Sequence, residues 1–171
     1  YLQDLDTGDL WSPTAAPIRE PEPYVISHGR GYSRFFHYSH GIEQMLLTYV
    51  PLEDPVKIYR LTLKNRSSDT RRLTVSFYVE LTLGVHKELT GQHIVTSFDQ
   101  KSQAVVALNT FRDEVYAHRT AFVASSLEEF SFTGDRHEFI GRRNTLASPV
   151  GLTGPVLSGK VGPGLEPCIA L

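Results

Sequence analysis

The feature that most constrains the fold is an alternation of apolar and polar residues between positions 72 and 85. Every second position in this run is apolar: Leu73, Val75, Phe77, Val79, Leu81, Leu83 and Val85. A period of two places these side chains on one face of an extended chain, whereas a helix needs spacings of three and four. The pattern therefore predicts one long, half-buried strand with its other face in solvent.

A shorter alternating run precedes it at residues 59–64, and the polar residues 65–71 separate the two. This arrangement predicts an antiparallel hairpin. Further strands are predicted at 24–28, 32–39, 42–50, 93–99, 104–109 and 119–125, with glycine, proline and aspartate between most of them. Many short strands with such punctuation favour an all-β sandwich. Residues 147–167, rich in glycine and proline, are predicted to be irregular.

Composition excludes several classes of protein. The 171 residues suit one domain, and a net charge of −2 argues against a nucleic-acid or anionic-membrane partner. No apolar run is long enough to cross a bilayer, so we expect a soluble, cytoplasmic domain. Cys168 is the one cysteine, which excludes an internal disulfide. The chain begins inside a hairpin pattern and ends on the apolar residues 168–171, which would form a strand without a partner. We therefore expect a piece of a longer polypeptide.

Metal and nucleophile patterns fit the sequence poorly. The aspartates within residues 4–9 lack the glycine and glutamate positions of a calcium loop, and they predict a turn in which Gly8 takes a positive φ. His37 and His40 are three apart, so on a strand they would face opposite sides and could not share an ion. No nucleophile motif or phosphate loop surrounds Cys168 or Gly31. We predict no metal, no cofactor and no nucleophile in this chain.

Aromatic residues are dense in the first third of the chain. The set comprises Trp11, Tyr24, Tyr32, Phe35, Phe36 and Tyr38. Aromatic faces can stack on the C–H surfaces of sugars, but large aromatics also fill sandwich cores. We favour the core.

Several motifs together resemble one enzyme family. The run Trp11-Ser12-Pro13-Thr14 follows an Asp/Gly hairpin, and His28-Gly29-Arg30-Gly31-Tyr32-Ser33 comes after a proline-rich link. Thr133-Gly134-Asp135-Arg136 is followed by Phe139-Ile140-Gly141-Arg142, and residues 50–57, 61–65, 72–80 and 162–168 also match. These motifs resemble the β-sandwich region of the cellobiose and chitobiose phosphorylases, glycoside hydrolase family 94, in particular the phosphorylase-like region of cyclic β-1,2-glucan synthases.

The resemblance implies an antiparallel super-sandwich of the galactose-mutarotase-like type, followed in the full enzyme by an (α/α)₆ barrel. Members cleave β-glucosidic bonds by phosphate attack with inversion, which needs one general acid. In the resembled family that acid is an aspartate of the barrel, and no position here matches its motif, so the resemblance implies no catalytic residue in this chain. The implied partners are a β-glucan or oligosaccharide, phosphate, the barrel of the same polypeptide and, in some arrangements, a second copy. A synthase parent would imply an inner-membrane anchor.

The resemblance also suggests two loops that border the substrate. The first, residues 109–116, offers Asn109, Arg112 and Tyr116. The second offers Asp135, Arg136 and Arg142, of which Arg136 has a planar cation suited to hydroxyls or anions. In the full enzyme, Arg136→Ala or Asn109→Ala should weaken turnover and leave stability nearly unchanged. The alternative for the two loops is that both are solvated connections, the second held by an internal Asp–Arg pair. The alternatives for the whole chain are a stand-alone carbohydrate-binding module and a structural interaction domain.

Overall fold

The computed structural model describes residues 1–111, 120–154 and 156–171. In these residues the backbone forms thirteen strands and two helices of four residues each. Every strand pair is antiparallel, which confirms the all-β prediction. No helix in the described part of the chain is long and apolar enough to span a membrane.

The chain divides into two compact units, Tyr1–Val75 and Ser76–Leu171. The first unit contains β1 (Leu2–Asp4), β2 (Leu10–Trp11), β3 (Tyr24–Gly29), β4 (Tyr32–Ser39), β5 (Ile42–Tyr49), β6 (Ile58–Asn65) and β7 (Leu73–Val75). They form a sheet in the order β2-β1-β7 and a meander in the order β3-β4-β5-β6. Leu2, Trp11 and Ile42 are the buried centre of this unit.

The first hairpin forms as predicted because an aspartate organises its turn. Asp4 is buried, and its Oδ1 accepts hydrogen bonds from the backbone amides of Asp6 at 2.8 Å and Thr7 at 3.3 Å. Gly8 has a φ of +80°, a conformation that side chains with a Cβ rarely adopt. The aspartate therefore binds the turn itself, as expected of a short polar side chain beside a tight turn.

The second unit contains β8 (Tyr78–Glu80), α1 (Lys87–Thr90), β9 (Ile94–Asp99), β10 (Ala104–Asn109), β11 (Thr120–Ala124), β12 (Thr133–Asp135), α2 (Arg136–Phe139) and β13 (Pro167–Ala170). Its sheets have the orders β11-β10-β9 and β12-β13-β8. The buried core consists of Leu81, Ile94, Val105, Ala107 and Ile169. Between Phe139 and β13 the described backbone has only a 3₁₀ turn at Val150–Leu152, as the glycine and proline content predicts.

The prediction of one long strand over residues 72–85 was wrong. The run contains β7 and β8, which pair with different partners: β7 with β1 and β8 with β13. Leu83 has a φ of +39°, which an extended strand cannot contain, so the regular backbone ends earlier. Alternation correctly indicated extended backbone but carried no information on where the pairing partner changes.

The predicted hairpin between residues 59–64 and the following run was also wrong. β6 pairs with β5 along eight residues, whereas β7 pairs with β1. The connection is held elsewhere, because Arg71 bonds to the Asp4 carboxylate at 2.6 Å and to the His40 carbonyl at 2.7 Å. These bonds take the chain towards the first hairpin instead of back along β6.

The chain-terminal strand is not an unpaired edge, contrary to our prediction. β13 lies between β12 and β8, and all four of its residues are buried. Phe77 and Leu171 extend the pairing by exchanging two backbone hydrogen bonds of 3.0 Å. Its apolar composition therefore matches a central strand, where both faces are covered.

The aromatic set of the first third does not form one core. Trp11 is fully buried, but Tyr32, Phe36 and Tyr38 are 41%, 38% and 49% exposed. These three occupy alternate positions of β4 and share one face of the meander. The opposite face of β4 holds the half-buried Phe35 together with the buried His37 and Ser39, so polar side chains share that face with one aromatic.

Candidate functional site

The second predicted loop, Asp135–Arg142, begins instead as the last residue of β12 and continues directly into α2. Asp135 begins the helix as its N-cap: its backbone is extended and its Oδ1 accepts the His137 amide at 3.0 Å. A carboxylate in this position satisfies an amide that the first helical turn leaves without a partner. The local sequence thus explains both the start of α2 and the burial of Asp135.

Asp135 pairs with Lys160 through Oδ2 at 2.5 Å, and not with Arg136. The alternative of a loop held by an internal Asp–Arg pair was therefore wrong about the partner, which is 25 residues further along the chain. Burial opposes ionisation of Asp135, but bonds from Lys160 and the His137 amide hold the pKa of the carboxyl below its usual value. Asp135 is an anion at neutral pH with its acceptors occupied.

Arg136 points at two carboxylates of the same unit. Its Nε donates to Glu80 Oε1 at 3.0 Å, and its Nη1 lies 3.6 Å from Glu166 Oε1. Its backbone amide also donates to the Glu166 carbonyl at 2.9 Å. The neighbouring His137 lies 3.2 Å from the other oxygen of Glu166. Arg136 thereby ties α2 to β8 and to the segment before β13.

Glu80 is the centre of this arrangement, which we call the Glu80 cluster: Tyr78, Glu80, Lys87, Arg136 and Glu166. Besides the bond from Arg136, the Glu80 carboxylate accepts a hydrogen bond of 2.9 Å from the Tyr78 hydroxyl and pairs with Lys87. The Lys87 ammonium is the main cause of a lowered Glu80 pKa, which burial opposes and Tyr78 and Arg136 reinforce. A general acid needs a raised pKa at neutral pH. Glu80 is therefore an anion and suits hydrogen-bond acceptance.

An open groove of about 370 Å³ borders the cluster. Lys87, Glu88, Gln92 and Glu166 contribute polar side chains to its lining, together with Leu165 and Pro167. Carboxylate, amide and ammonium groups on an apolar base can bind the hydroxyls of a polyol. The buried Cys168 offers no nucleophile there, because burial raises the pKa of its thiol to about 12.

The remaining predicted site residues either belong to other elements of the chain or lie outside the described residues. Asn109 is buried at the end of β10, donates to the Leu83 carbonyl at 2.9 Å and accepts the Phe111 amide at 2.9 Å. Arg142 is exposed after α2. Arg112 and Tyr116 lie outside the described residues. Asn109 and Arg136 both bond to other groups of the fold, so we now predict that replacing either of them lowers stability.

Sequence reasoning missed the partners that complete the cluster. Glu80 belonged to the alternating run, where it read as a solvent-facing residue, and Glu166 lay in the glycine- and proline-rich tail. Arg136 and Glu80 are 56 residues apart. No short-range pattern relates positions at that separation. The one available signal was the charge of Glu80 within an otherwise apolar and hydroxyl-bearing run.

A second polar network lies in the first unit and corrects the histidine prediction. His37 Nε2 and His40 Nε2 both contact Glu20, at 2.8 and 2.6 Å on its two oxygens. His40 reaches the same carboxylate because it lies in the β4–β5 turn with a φ of +51°. Ser39 also donates to Glu20 at 2.6 Å. Burial opposes ionisation of Glu20, but these three side chains hold its pKa below the usual value.

The same region contains the group of described residues closest to a metal-binding arrangement. Ligand atoms of Glu20, Glu22 and His37 lie within 4.8 Å of one another. Both ring nitrogens of His37 already have partners, Glu20 and the Pro23 carbonyl at 3.2 Å. A metal ion could bind His37 only by replacing one of these hydrogen bonds. The contacts of His37 therefore suit a hydrogen-bonded network better than a metal site.

Comparison with known proteins gives one consistent result. The family model described as "Glycosyl hydrolase 94, supersandwich domain" matches residues 1–171. The chain is 32% identical over 173 residues to the cyclic beta-(1,2)-glucan synthase NdvB of Rhizobium meliloti (strain 1021), covering 100% of this chain and 6% of that protein. It is 26% identical over 171 residues to solabiose phosphorylase of Paenibacillus borealis, covering 98% and 22%. It is also 26% identical over 159 residues to N,N'-diacetylchitobiose phosphorylase of Vibrio proteolyticus, covering 88% and 20%. The chain thus spans between 6% and 22% of these relatives.

Proposed function

The chain belongs to the glycosyl hydrolase 94 supersandwich domain family, and on that premise we propose that it forms the non-catalytic β-sandwich of a larger carbohydrate enzyme. The parent reaction would be phosphorolysis or synthesis of a β-linked glucan, with inorganic phosphate as co-substrate and the catalytic acid on an (α/α)₆ barrel of the same polypeptide. The match of one family model to residues 1–171 carries the proposal. Because that match spans both compact units, we treat them as one functional domain.

The charges of the second unit support a non-catalytic role. The carboxyls of Glu80, Asp135 and Glu138 all have pKa values below their usual ones, because each accepts hydrogen bonds or pairs with a cation. An inverting phosphorolysis needs an acid that still carries its proton at neutral pH. These three groups are anions under those conditions and suit structural or hydroxyl-binding roles. A cytoplasmic location is part of the proposal, since that compartment supplies inorganic phosphate.

The sandwich would contribute to substrate binding through its two predicted loops. Asn109, Asp135 and Arg136 are bonded within the fold, so we assign them to positioning the loops. Arg142 is exposed and follows the α2 element directly, so we assign it to contact with the saccharide, together with Arg112 and Tyr116. An exposed guanidinium can bind vicinal hydroxyls or an anion through parallel hydrogen bonds.

The test uses the full-length enzyme and measures glucose 1-phosphate released from a linear β-1,2-glucan and phosphate. We expect Arg142→Ala to raise the KM for glucan at least fivefold with little change in kcat, because it removes binding without touching the acid. Arg143→Ala is the matched control, since its side chain is also exposed. Equal KM values in both variants would remove Arg142 from the account. Glucose 1-phosphate release by the 171-residue chain alone would overturn the non-catalytic assignment.

A further inference from the structure

The exposed face of the β3–β6 meander carries an open groove of about 400 Å³ that the proposed function does not use. Three arginines and two tyrosines surround it, with a leucine between them: Arg30, Arg34, Arg60, Tyr32, Tyr49 and Leu47. All six belong to the first unit. The residues of the Glu80 cluster, in contrast, belong to the second unit.

Strand register explains how these side chains meet. Leu47 of β5 pairs with Arg34 of β4 on one side and with Arg60 of β6 on the other. Directly paired residues project from the same face, and adjacent strands are about 4.8 Å apart. The two arginines therefore start about 10 Å apart on either side of an apolar residue. In the next row Tyr32 pairs with Tyr49, and Arg30 lies in the turn that joins β3 to β4.

The three groove arginines have no carboxylate partner among the described residues, unlike four other arginines of the chain. Among the described residues, the arginines with a carboxylate oxygen within 4.0 Å are Arg66, Arg71, Arg72 and Arg136. Arg30, Arg34 and Arg60 have none within that distance in the described part of the chain. A guanidinium keeps its charge at every physiological pH. Three such cations on one groove favour an anion that the chain itself does not provide.

We infer that this groove binds a sugar carrying an anionic group, a phosphate or a carboxylate. The anion would lie over Leu47 between Arg34 and Arg60, each of which can donate two parallel hydrogen bonds to its oxygens. Tyr32 is 41% exposed and pairs with Tyr49 beside the arginines. An aromatic ring in that place suits the C–H face of the sugar. Charge and aromatic surface together select an anionic sugar over either a neutral sugar or a free anion.

Single-stranded nucleic acid is the rival ligand, because it also combines phosphates with stacking rings. Two observations favour the sugar. The groove measures about 400 Å³, which suits one or two sugar rings better than a strand of several nucleotides. The chain as a whole is negative, with a net charge of −2, which repels a polyanion outside the groove itself.

The test titrates the isotopically labelled 171-residue chain and follows amide and arginine side-chain signals by NMR. The probes are glucose 6-phosphate, glucuronate, inorganic phosphate, glucose and a thymidine oligonucleotide. We expect glucose 6-phosphate, glucuronate or both to bind at least tenfold more tightly than either phosphate or glucose, and to shift signals of Tyr32, Leu47 and Tyr49. Comparing the two sugars distinguishes a phosphate from a carboxylate ligand. Raising the salt from 20 to 300 mM should weaken binding severalfold, because the contact is electrostatic.

Variants decide whether the groove arginines are responsible. Arg34→Ala and Arg60→Ala should each weaken binding at least tenfold with spectra that remain those of a folded chain. Arg66→Ala is the matched control, because this arginine of the same unit is already paired with Glu43 at 2.7 Å and should bind as wild type does. Phosphate binding as tight as that of both sugars would mean an adventitious ion only. That result would overturn the inference. So would any of three others: oligonucleotide binding tighter than that of both sugars, no binding of either sugar, or sugar binding that survives both substitutions. None of these outcomes touches the proposed function, which is measured by turnover of the full-length enzyme.

Discussion

The Glu80 cluster and the arginine groove balance their charges in opposite ways. In the cluster, Arg136 lies between Glu80 and Glu166, and Lys87 pairs with the same Glu80. In the groove, three guanidiniums lie around Leu47 and Val50, and none of them has a carboxylate oxygen within 4.0 Å among the described residues. Residue composition alone would describe both regions as surfaces of positive or mixed charge. Only the partners distinguish them.

The comparison shows how to separate a structural charge from a ligand-binding one. A cation that bonds to fixed carboxylates stabilises the fold, and removing it leaves those carboxylates without a donor. A cation without a partner contributes little to the fold and remains available to a ligand. The two regions should therefore respond differently to the same substitution of arginine by alanine.

The largest expected loss of stability comes from Asp135→Ala in the cluster's immediate surroundings. This side chain is 6% exposed, caps α2 and pairs with Lys160. Its removal should lower the free energy of unfolding by about 2–3 kcal/mol, from the lost cap and the lost buried pair. Urea unfolding measures the change, with the exposed Asp54→Ala as control. A loss no larger than that of the control would mean that the cap and ion pair do not stabilise this unit.

Arg136→Ala should have the next largest effect, about 1–2 kcal/mol, because Glu80 and Glu166 lose a donor in a partly solvated setting. Arg136→Lys should recover part of that loss, since an ammonium restores the charge but not the two-directional fork. Urea unfolding of both variants against wild type measures the difference. If neither Arg136→Ala nor Arg136→Lys lowered the free energy of unfolding, the paired Arg136 would stabilise the fold no more than the unpaired arginines of the groove do.

The cluster should also make stability depend on pH. The pKa values of Asp135 and Glu80 lie below their ordinary values of 3.8 and 4.5. The unfolded chain therefore takes up protons before the folded chain does as the solution becomes acidic. Stability from these groups should be complete near pH 7, start to fall below about pH 5 and be lost as the pH passes below the folded pKa values. Arg136→Ala should show a shallower acid loss in urea unfolding, whereas identical pH profiles would contradict the pairing.

The sequence predicted much of the secondary structure but few of its partners. Alternation located β3 to β6 and β9 to β11, because each is a local pattern of side chains on two faces. It failed at Ser76–Phe77, where extended backbone continues while the pairing partner changes from β1 to β13. The resemblance to family 94 correctly indicated an all-β fold, since it rests on motifs spread over the chain.

The candidate sites were harder to predict for the same reason. Arg136 was recognised as a planar cation, but whether it was free depended on Glu80, 56 residues away. His37 and His40 were placed on opposite faces because the spacing argument treated both as strand residues, although the predicted strands 32–39 and 42–50 leave His40 in the turn between them. The groove arginines were overlooked because Arg34 and Arg60 come together only through the register with Leu47. Each miss concerns a contact between residues that are distant in the sequence, not a preference of one residue.

The smallest expected effect on stability is that of Arg34→Ala, a change of no more than about 0.5 kcal/mol. Urea unfolding should find this variant as stable as wild type, with any shift in the stabilising direction because one of three like charges is gone. A loss as large as that of Arg136→Ala would show that Arg34 also has a fixed partner in the fold. In that case the contrast between the two regions would disappear.

Thermal unfolding tests the central contrast most directly, in wild type, Arg34→Ala and Arg136→Ala side by side. Each protein is measured with and without 10 mM of whichever sugar, glucose 6-phosphate or glucuronate, binds the wild type more tightly. Without ligand, Arg136→Ala should unfold about 3–6 °C below wild type and Arg34→Ala at the wild-type temperature. With ligand, wild type and Arg136→Ala should gain the same increase in Tm, because a ligand that binds only the folded chain stabilises it. Arg34→Ala should gain a clearly smaller increase, because its binding is at least tenfold weaker. An equal ligand-induced increase in all three proteins, or an Arg34→Ala variant that is the less stable one without ligand, would contradict the account.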